Sequence, residues 1–280
     1  LRTASDDKTA RVWDPKTGDV LHVLQGHNGW VTSLYFNHDG TQLATASYDT
    51  TARVWNPKTG AALHVLQGHN DWIEYLCFNH DGTQLATASH DTTARVWDPK
   101  TGDTLHVLQG HNNRINSLCF NHDGTQLATA SDDTTARVWD PKTGAALHVL
   151  QGHKGYIASL CFNHDGTQLA TASDDKTACV WDPKTGAALH VLQGHNGYIT
   201  SLCFNHDGTQ LAIASYDKTA RVWTKMPPET FVHKTDPLSL LTLYASWRKI
   251  REEEKDPSSC KKMNALKKYI KELSIQQEKQ

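Results

Sequence analysis

The sequence predicts an all-β fold built from equivalent four-stranded units set around an axis, followed by a short helical segment. Three observations lead there. Val-Trp recurs at Trp13, Trp55, Trp97, Trp139, Trp181 and Trp223, always 42 residues apart. Gly-His recurs with the same period at His27, His69, His111, His153 and His195. Each copy is made of short β-prone runs divided by turn residues. Self-similarity at such a period marks stacked structural units, none of which can bury its faces alone.

Each element of the unit has its own cause. Residues 31–36 (VTSLYF) and 43–47 (LATAS) are the first two strands. Asn37-His38-Asp39-Gly40 separates them, and Asp-Gly supplies the positive φ of a tight hairpin. Tyr48-Asp49-Thr50 makes a second turn and 52–55 (ARVW) a third strand. Asn56-Pro57-Lys58-Thr59-Gly60 places Pro and Gly where a turn uses them. Residues 62–67 (ALHVLQ) supply the fourth strand. Four short antiparallel strands per repeat make one propeller blade.

Composition narrows the function. The chain has 280 residues and a formal net charge of −2, which does not suit a strongly basic nucleic-acid binder. No apolar run approaches the 18 residues of a membrane span, so neither nucleic acid nor membrane is an expected partner. Six cysteines without a Cys-x-x-Cys pair argue against a zinc ribbon or a redox motif. A signal-peptide pattern is not evident, and a cytoplasmic setting is expected.

Residues 1–223 resemble the WD40-repeat β-propeller family. The resemblance rests on Gly-His, the Asp-Gly hairpin, Ser-x-Asp and Val-Trp-Asp, repeated in register. It implies a buried hydrogen-bonded tetrad in each blade. The matching sets are His27, Thr45, Asp49, Trp55; His69, Thr87, Asp91, Trp97; His111, Thr129, Asp133, Trp139; and His153, Thr171, Asp175, Trp181. Hydroxyl, imidazole and carboxylate together suggest a hydrolytic triad. The set occurs four times over, however, whereas an active site is normally single, so no catalytic residue is assigned. A last set departs from the pattern: Ile213 stands beside His195, Asp217 and Trp223 in place of the hydroxyl residue. That blade is expected to be the weakest.

Other tempting groups read as structure. His38, His80, His122, His164 and His206 sit in solvated Asn-His-Asp-Gly turns. Cys77, Cys119, Cys161 and Cys203 are small apolar fillers at one strand position, which Tyr35 takes in the first copy. Neither a metal nor a cofactor is expected.

Function is expected where the copies differ. One varying column is Trp30, Trp72, Arg114, Tyr156, Tyr198. A second is Thr32, Glu74, Asn116, Ala158, Thr200, and a third is Asp6, Tyr48, His90, Asp132, Asp174, Tyr216. The resemblance places all three on one face of the disk, which this family uses to grip partners. Trp, Tyr and Arg dominate binding hot spots, whereas the exposed Pro57-Lys58-Thr59-Gly60 column hardly changes. The chain is therefore expected to be a protein-interaction scaffold or recognition module, not an enzyme, binding a protein or peptide. Two alternatives stand beside this reading. One is the sensor end of a nucleotide-switch signalling receptor; the other is an adaptor delivering clients through its C-terminal helices.

The expected domains are a propeller over 1–234 and a helical region over 235–280. The chain opens mid-copy, since Leu1-Arg2-Thr3-Ala4-Ser5 matches Leu43-Ala44-Thr45-Ala46-Ser47. An N-terminally truncated or open ring is expected, closed by further blades or by another chain. Phe231-Val232 falls in the register of Leu63-His64, so 229–234 is expected to supply the last outer strand. Beyond it, Asp236-Pro237 and Asp256-Pro257 each cap the start of a helix in an expected hairpin.

Overall fold

The computed structural model describes residues 2–226 and 230–234, and within them the chain is entirely β. The expected helical hairpin lies outside the described residues. Six antiparallel sheets follow one another along the sequence. The first has three strands, β1 (Arg2–Ala4), β2 (Ala10–Trp13) and β3 (Val20–Leu24). The second shows the complete unit: β4 (Val31–Phe36), β5 (Leu43–Ser47), β6 (Ala52–Trp55) and β7 (Ala62–Leu66), hydrogen-bonded in chain order. The third sheet runs from β8 (Ile73–Phe78) through β9 (Leu85–Ser89) and β10 (Ala94–Trp97) to β11 (Thr104–Leu108). The fourth holds β12 (Ile115–Phe120), β13 (Leu127–Ser131), β14 (Ala136–Trp139) and β15 (Ala146–Leu150). The fifth holds β16 (Ile157–Phe162), β17 (Leu169–Ser173), β18 (Ala178–Trp181) and β19 (Ala188–Leu192). The sixth holds β20 (Ile199–Phe204), β21 (Gln210–Ser215), β22 (Ala220–Met226) and β23 (Thr230–Lys234). The leading strands β4, β8, β12, β16 and β20 pack side by side in that order, and β1 packs on β4. Repeated four-stranded sheets stacked this way are the arrangement of a propeller.

Burial follows from strand position. In the second to fifth sheets the second strand is buried throughout, as in Leu43–Ser47, because sheets cover both its faces. Its alternating alanines leave room for Trp55, Trp97 and Trp139 between sheets. The outer strands β3, β7, β11, β15 and β19 bury only their last residue, Leu66 in β7, half-bury the histidine and expose the rest.

Adjacent sheets are also joined by polar ties. Gln42 donates to the carbonyl of Pro99, and Gln84 and Gln126 repeat this with Pro141 and Pro183. His22 Nε2 donates to the carbonyl of Lys58 at 2.9 Å, and His106 and His148 repeat this at Lys142 and Lys184. Only glycine fits beside these imidazoles. A Cβ on Gly60 would lie 3.0 Å from His22, and its φ of +73° is left-handed.

Two departures from the repeat are structural. The hydroxyls of Tyr35 and Tyr75 share a hydrogen bond of 2.7 Å between the second and third sheets. Tyr35 replaces the cysteine and Tyr75 the serine of the other copies, so the two exceptions answer each other. The second departure corrects the expected register of the last strand. β23 exists, but Val222 pairs with Lys234 and Trp223 with His233, whereas Val54 pairs with His64 and Trp55 with Ala62. The partner of Val222 is thus displaced by two residues from the copy-equivalent position. The cause is that β22 runs on to Met226, where earlier copies turn directly after Trp.

Candidate interaction face

In the complete sheets, each blade's turn brings two of the variable columns together. The main-chain N–H of Tyr48 donates to the carbonyl of Trp30 at 3.0 Å. His90 does the same to Trp72, Asp132 to Arg114, Asp174 to Tyr156, and Tyr216 to Tyr198. One backbone hydrogen bond per blade therefore fixes the side chain before the tetrad Asp beside the one that opens the leading strand. Variation in these columns leaves the bond untouched, because it uses no side chain.

The tetrads hold that turn in place. His27 Nδ1–H donates to Asp49 Oδ2 at 2.8 Å, and its Nε2 lies 2.7 Å from Thr45 Oγ1. Trp55 Nε1–H donates to the same hydroxyl at 2.8 Å. A carboxylate only accepts, so Nδ1 carries the proton and Nε2 accepts from threonine. The relay from indole to hydroxyl to imidazole to carboxylate leaves none of these groups unsatisfied. It recurs about His69, His111 and His153. Burial alone would push Asp49 up, but hydrogen bonds from His27, Thr51 and the Asn28 amide outweigh it and hold the carboxyl well below the usual range. In the sixth sheet Asp217 still accepts from His195 at 2.7 Å. Buried Ile213 offers no hydroxyl, and His195 Nε2 has no hydrogen-bond partner among the described residues. In the first sheet the corresponding indole bond runs from Trp13 Nε1–H to Thr3 Oγ1.

On this frame the aromatic members of the first column project outward. Trp30, Trp72, Tyr156 and Tyr198 are each 46–52% exposed, and Tyr216 more so. Tyr48 is stacked between Trp30 and Trp72, with ring centroids 5.8 and 4.3 Å away. His90 continues the series 5.4 Å from Trp72. Glu74 accepts a hydrogen bond from the Tyr48 hydroxyl at 3.3 Å and lies 3.7 Å from His90. Burial, and then the Glu74 charge, raise the Tyr48 phenol above its ordinary value.

Some variable residues are also engaged within the chain. Asp132 is only 7% exposed and is engaged by Arg114 Nε at 2.5 Å and Asn116 Nδ2 at 2.6 Å. Asn116 also donates to the carbonyl of Ile157, and Thr32 to that of Ile73, each on the next sheet. These polar choices brace one blade on its neighbour.

A cavity of about 610 Å³ opens among these residues. Tyr48, Trp72, Glu74, His90, Arg114, Asn116, Asp132, Tyr156, Asp174 and Tyr216 all line it, whereas Trp30, Thr32 and Tyr198 do not. The lining also includes Tyr75, Ser117, Ser159 and Ser201, a column that the sequence reading passed over because it is nearly constant. Alternation could not have found it: a register shift follows the first residue of each leading strand, so that consecutive Asn116 and Ser117 both line the cavity.

A second, smaller cavity is lined by His38, His80, His122 and His164. The turn histidines form a continuous series with His206, centroids 4.2–4.5 Å apart. Among the described residues, no three His, Cys, Asp or Glu side chains are arranged to hold a metal ion. Cys179 is inert, since burial pushes its thiol up to about 12.

Comparison with known proteins fits this frame. The family model described as "WD domain, G-beta repeat" matches five times, at residues 18–56, 60–98, 102–140, 144–182 and 186–224. The chain belongs to the WD-repeat family. Among curated relatives it is similar to "Ribosome assembly protein 4" of Chaetomium thermophilum, 44% identical over 43 residues, covering 15% of this chain and 8% of that protein. It is 49% identical over 45 residues to human "WD repeat and SOCS box-containing protein 1", covering 16% and 11%. It is 44% identical over 43 residues to "Nuclear distribution protein PAC1" of Mycosarcoma maydis, covering 15% and 10%. The matched stretch is about one WD repeat and spans about a tenth of each relative. Among the described residues, no helix is long and apolar enough to cross a membrane.

Proposed function

We propose that this WD-repeat chain is a recognition module that docks a protein or peptide segment on the face formed by its variable columns. The observation behind this reading is the aromatic series Trp30–Tyr48–Trp72–His90 at the rim of the cavity. Large exposed aromatic rings cost free energy in water and are enriched at binding hot spots. Exposed positions such as Lys58 and Thr59, by contrast, stay constant between copies, whereas the Pro57 and Gly60 that flank them are not exposed. Six cysteines without a Cys-x-x-Cys pair suit a reducing compartment, and a cytoplasmic location is part of the proposal.

The test is selection of displayed random peptides on the full chain, with selected peptides resynthesised and their affinities measured. W30A/W72A/Y156A should lose binding at least tenfold while its circular dichroism spectrum and melting temperature stay unchanged. Undiminished binding by that variant sinks the reading.

A further inference from the structure

Three features of the cavity bear on what it could hold. The Asp174 main-chain N–H is used by Tyr156, but its carboxylate has no hydrogen-bond donor among the described residues. Burial, and then the neighbouring charges of Asp132 and Asp175, make its ionised form costly. Second, Ser117 and Ser159 line the cavity, and their hydroxyls, on residues only 3% and 4% exposed, have no hydrogen-bond partner among the described residues, as is also true of Ser33 outside the cavity. Buried polar groups normally have a partner. Third, the lining carries three carboxylates, Glu74, Asp132 and Asp174, against the single guanidinium of Arg114, which Asp132 already engages.

We propose that this cavity receives the positively charged side chain of a lysine or arginine from the docked peptide. Asp174 and Glu74 meet the charge, the serine hydroxyls accept its remaining N–H groups, and Trp72, Tyr48 and Tyr156 cover its apolar stem. This rests on the reading that the face docks a peptide, and it adds the chemistry of the anchor. A cation relieves the Asp174 carboxylate of its unfavourable surroundings and gains charge-assisted hydrogen bonds. The neighbouring aromatic faces attract it further. An anionic group would meet the three carboxylates. An apolar group would leave the two serine hydroxyls buried and unsatisfied.

The experiment uses the peptides selected above, together with D174N and E74Q forms of the full chain. Asp174 accepts no hydrogen bond, so D174N should keep the fold, as its melting temperature will show. Selected peptides should share a lysine or arginine. Replacing it by acetyl-lysine or citrulline should weaken binding at least tenfold, D174N should do the same, and E74Q should weaken binding by a smaller factor. Affinity should also fall as salt rises. Peptides that need Trp30 and Trp72 yet lack a shared basic residue, or bind D174N undiminished, overturn this inference and leave the face reading standing. Peptides indifferent to W30A/W72A/Y156A, or no selected peptides at all, overturn both.

Discussion

Replacing Ile213 with threonine should stabilise the protein, although it introduces a hydroxyl where only 1% of the residue is exposed. In the four complete tetrads the threonine oxygen sits 2.7–2.8 Å from the histidine Nε2 and 2.8–2.9 Å from the indole nitrogen. The sixth sheet has the histidine, the aspartate and the tryptophan already placed, and His195 Nε2 is left over. Satisfying that nitrogen and giving the Trp223 indole the acceptor used by its four counterparts should contribute about 2–3 kcal/mol. Exchanging isoleucine for threonine removes apolar contact worth about 1–1.5 kcal/mol. The net expectation is about 1 kcal/mol of stabilisation, or a rise of about 2–4 °C in melting temperature for a domain of this size. Thr129→Ile is the converse change and should cost about 2–4 kcal/mol, because it breaks a completed relay. Calorimetry of the two variants reads both effects, and hydrogen exchange should slow in β20 and β21 of Ile213→Thr. A lower melting temperature for Ile213→Thr, or a cost below about 1 kcal/mol for Thr129→Ile, would show that the relay is not what holds a blade together.

Further expectations concern pH and the backbone. Burial, the largest influence, holds the His69 and His195 imidazoles below their ordinary value, so their contribution is full above about pH 6.5 and is lost as pH falls below it. Asp49, Asp91, Asp133 and Asp217 are depressed, so their contribution is present above about pH 4 and is lost on further acidification. The urea midpoint should therefore decline gently from pH 7 to 5 and steeply below 4; a midpoint that rises on acidification refutes the assignment. Gly144→Ala should cost about 1–3 kcal/mol, since its Cβ would lie 3.0 Å from His106 at a φ of +74°. Thr134→Asn should raise stability by about 0.5–1 kcal/mol, because Thr134 adopts φ 69° in the turn and asparagine tolerates that region better. Equilibrium unfolding of the last two variants checks both signs.

The strands, turns and tetrads were legible because one pattern is written repeatedly, and each copy corroborates the next. Val-Trp and Asp-Gly fix where a strand ends and where it reverses, so the boundaries of β4 to β7 fall close to those expected from residues 31–67. The variable columns were legible as differences, but their roles were not. Asn116 and Thr32 look like contact residues in sequence and also donate to carbonyls of the next sheet, a bond across a sheet boundary that leaves no trace in a single copy, while Asp132 is held by Arg114 and Asn116 of its own sheet. Ser117 and Ser159 were missed for the opposite reason: near-constancy reads as packing, whereas both residues line the cavity. The register of β23 was misjudged because equal sequence spacing was taken for equal pairing, and β22 continues past its tryptophan.

The tyrosine pair at the junction of the second and third sheets carries a meaning for ancestry. Most copies could trade places with little disturbance, since each offers its neighbour the same alanines, tryptophan and polar ties. Tyr35 and Tyr75 are complementary halves of one join. Unequal crossing-over that separated them would bury a bulky phenol against a cysteine or serine partner made for something smaller. That one bond therefore makes two otherwise interchangeable modules inseparable, and gives a direction to a string of near-copies.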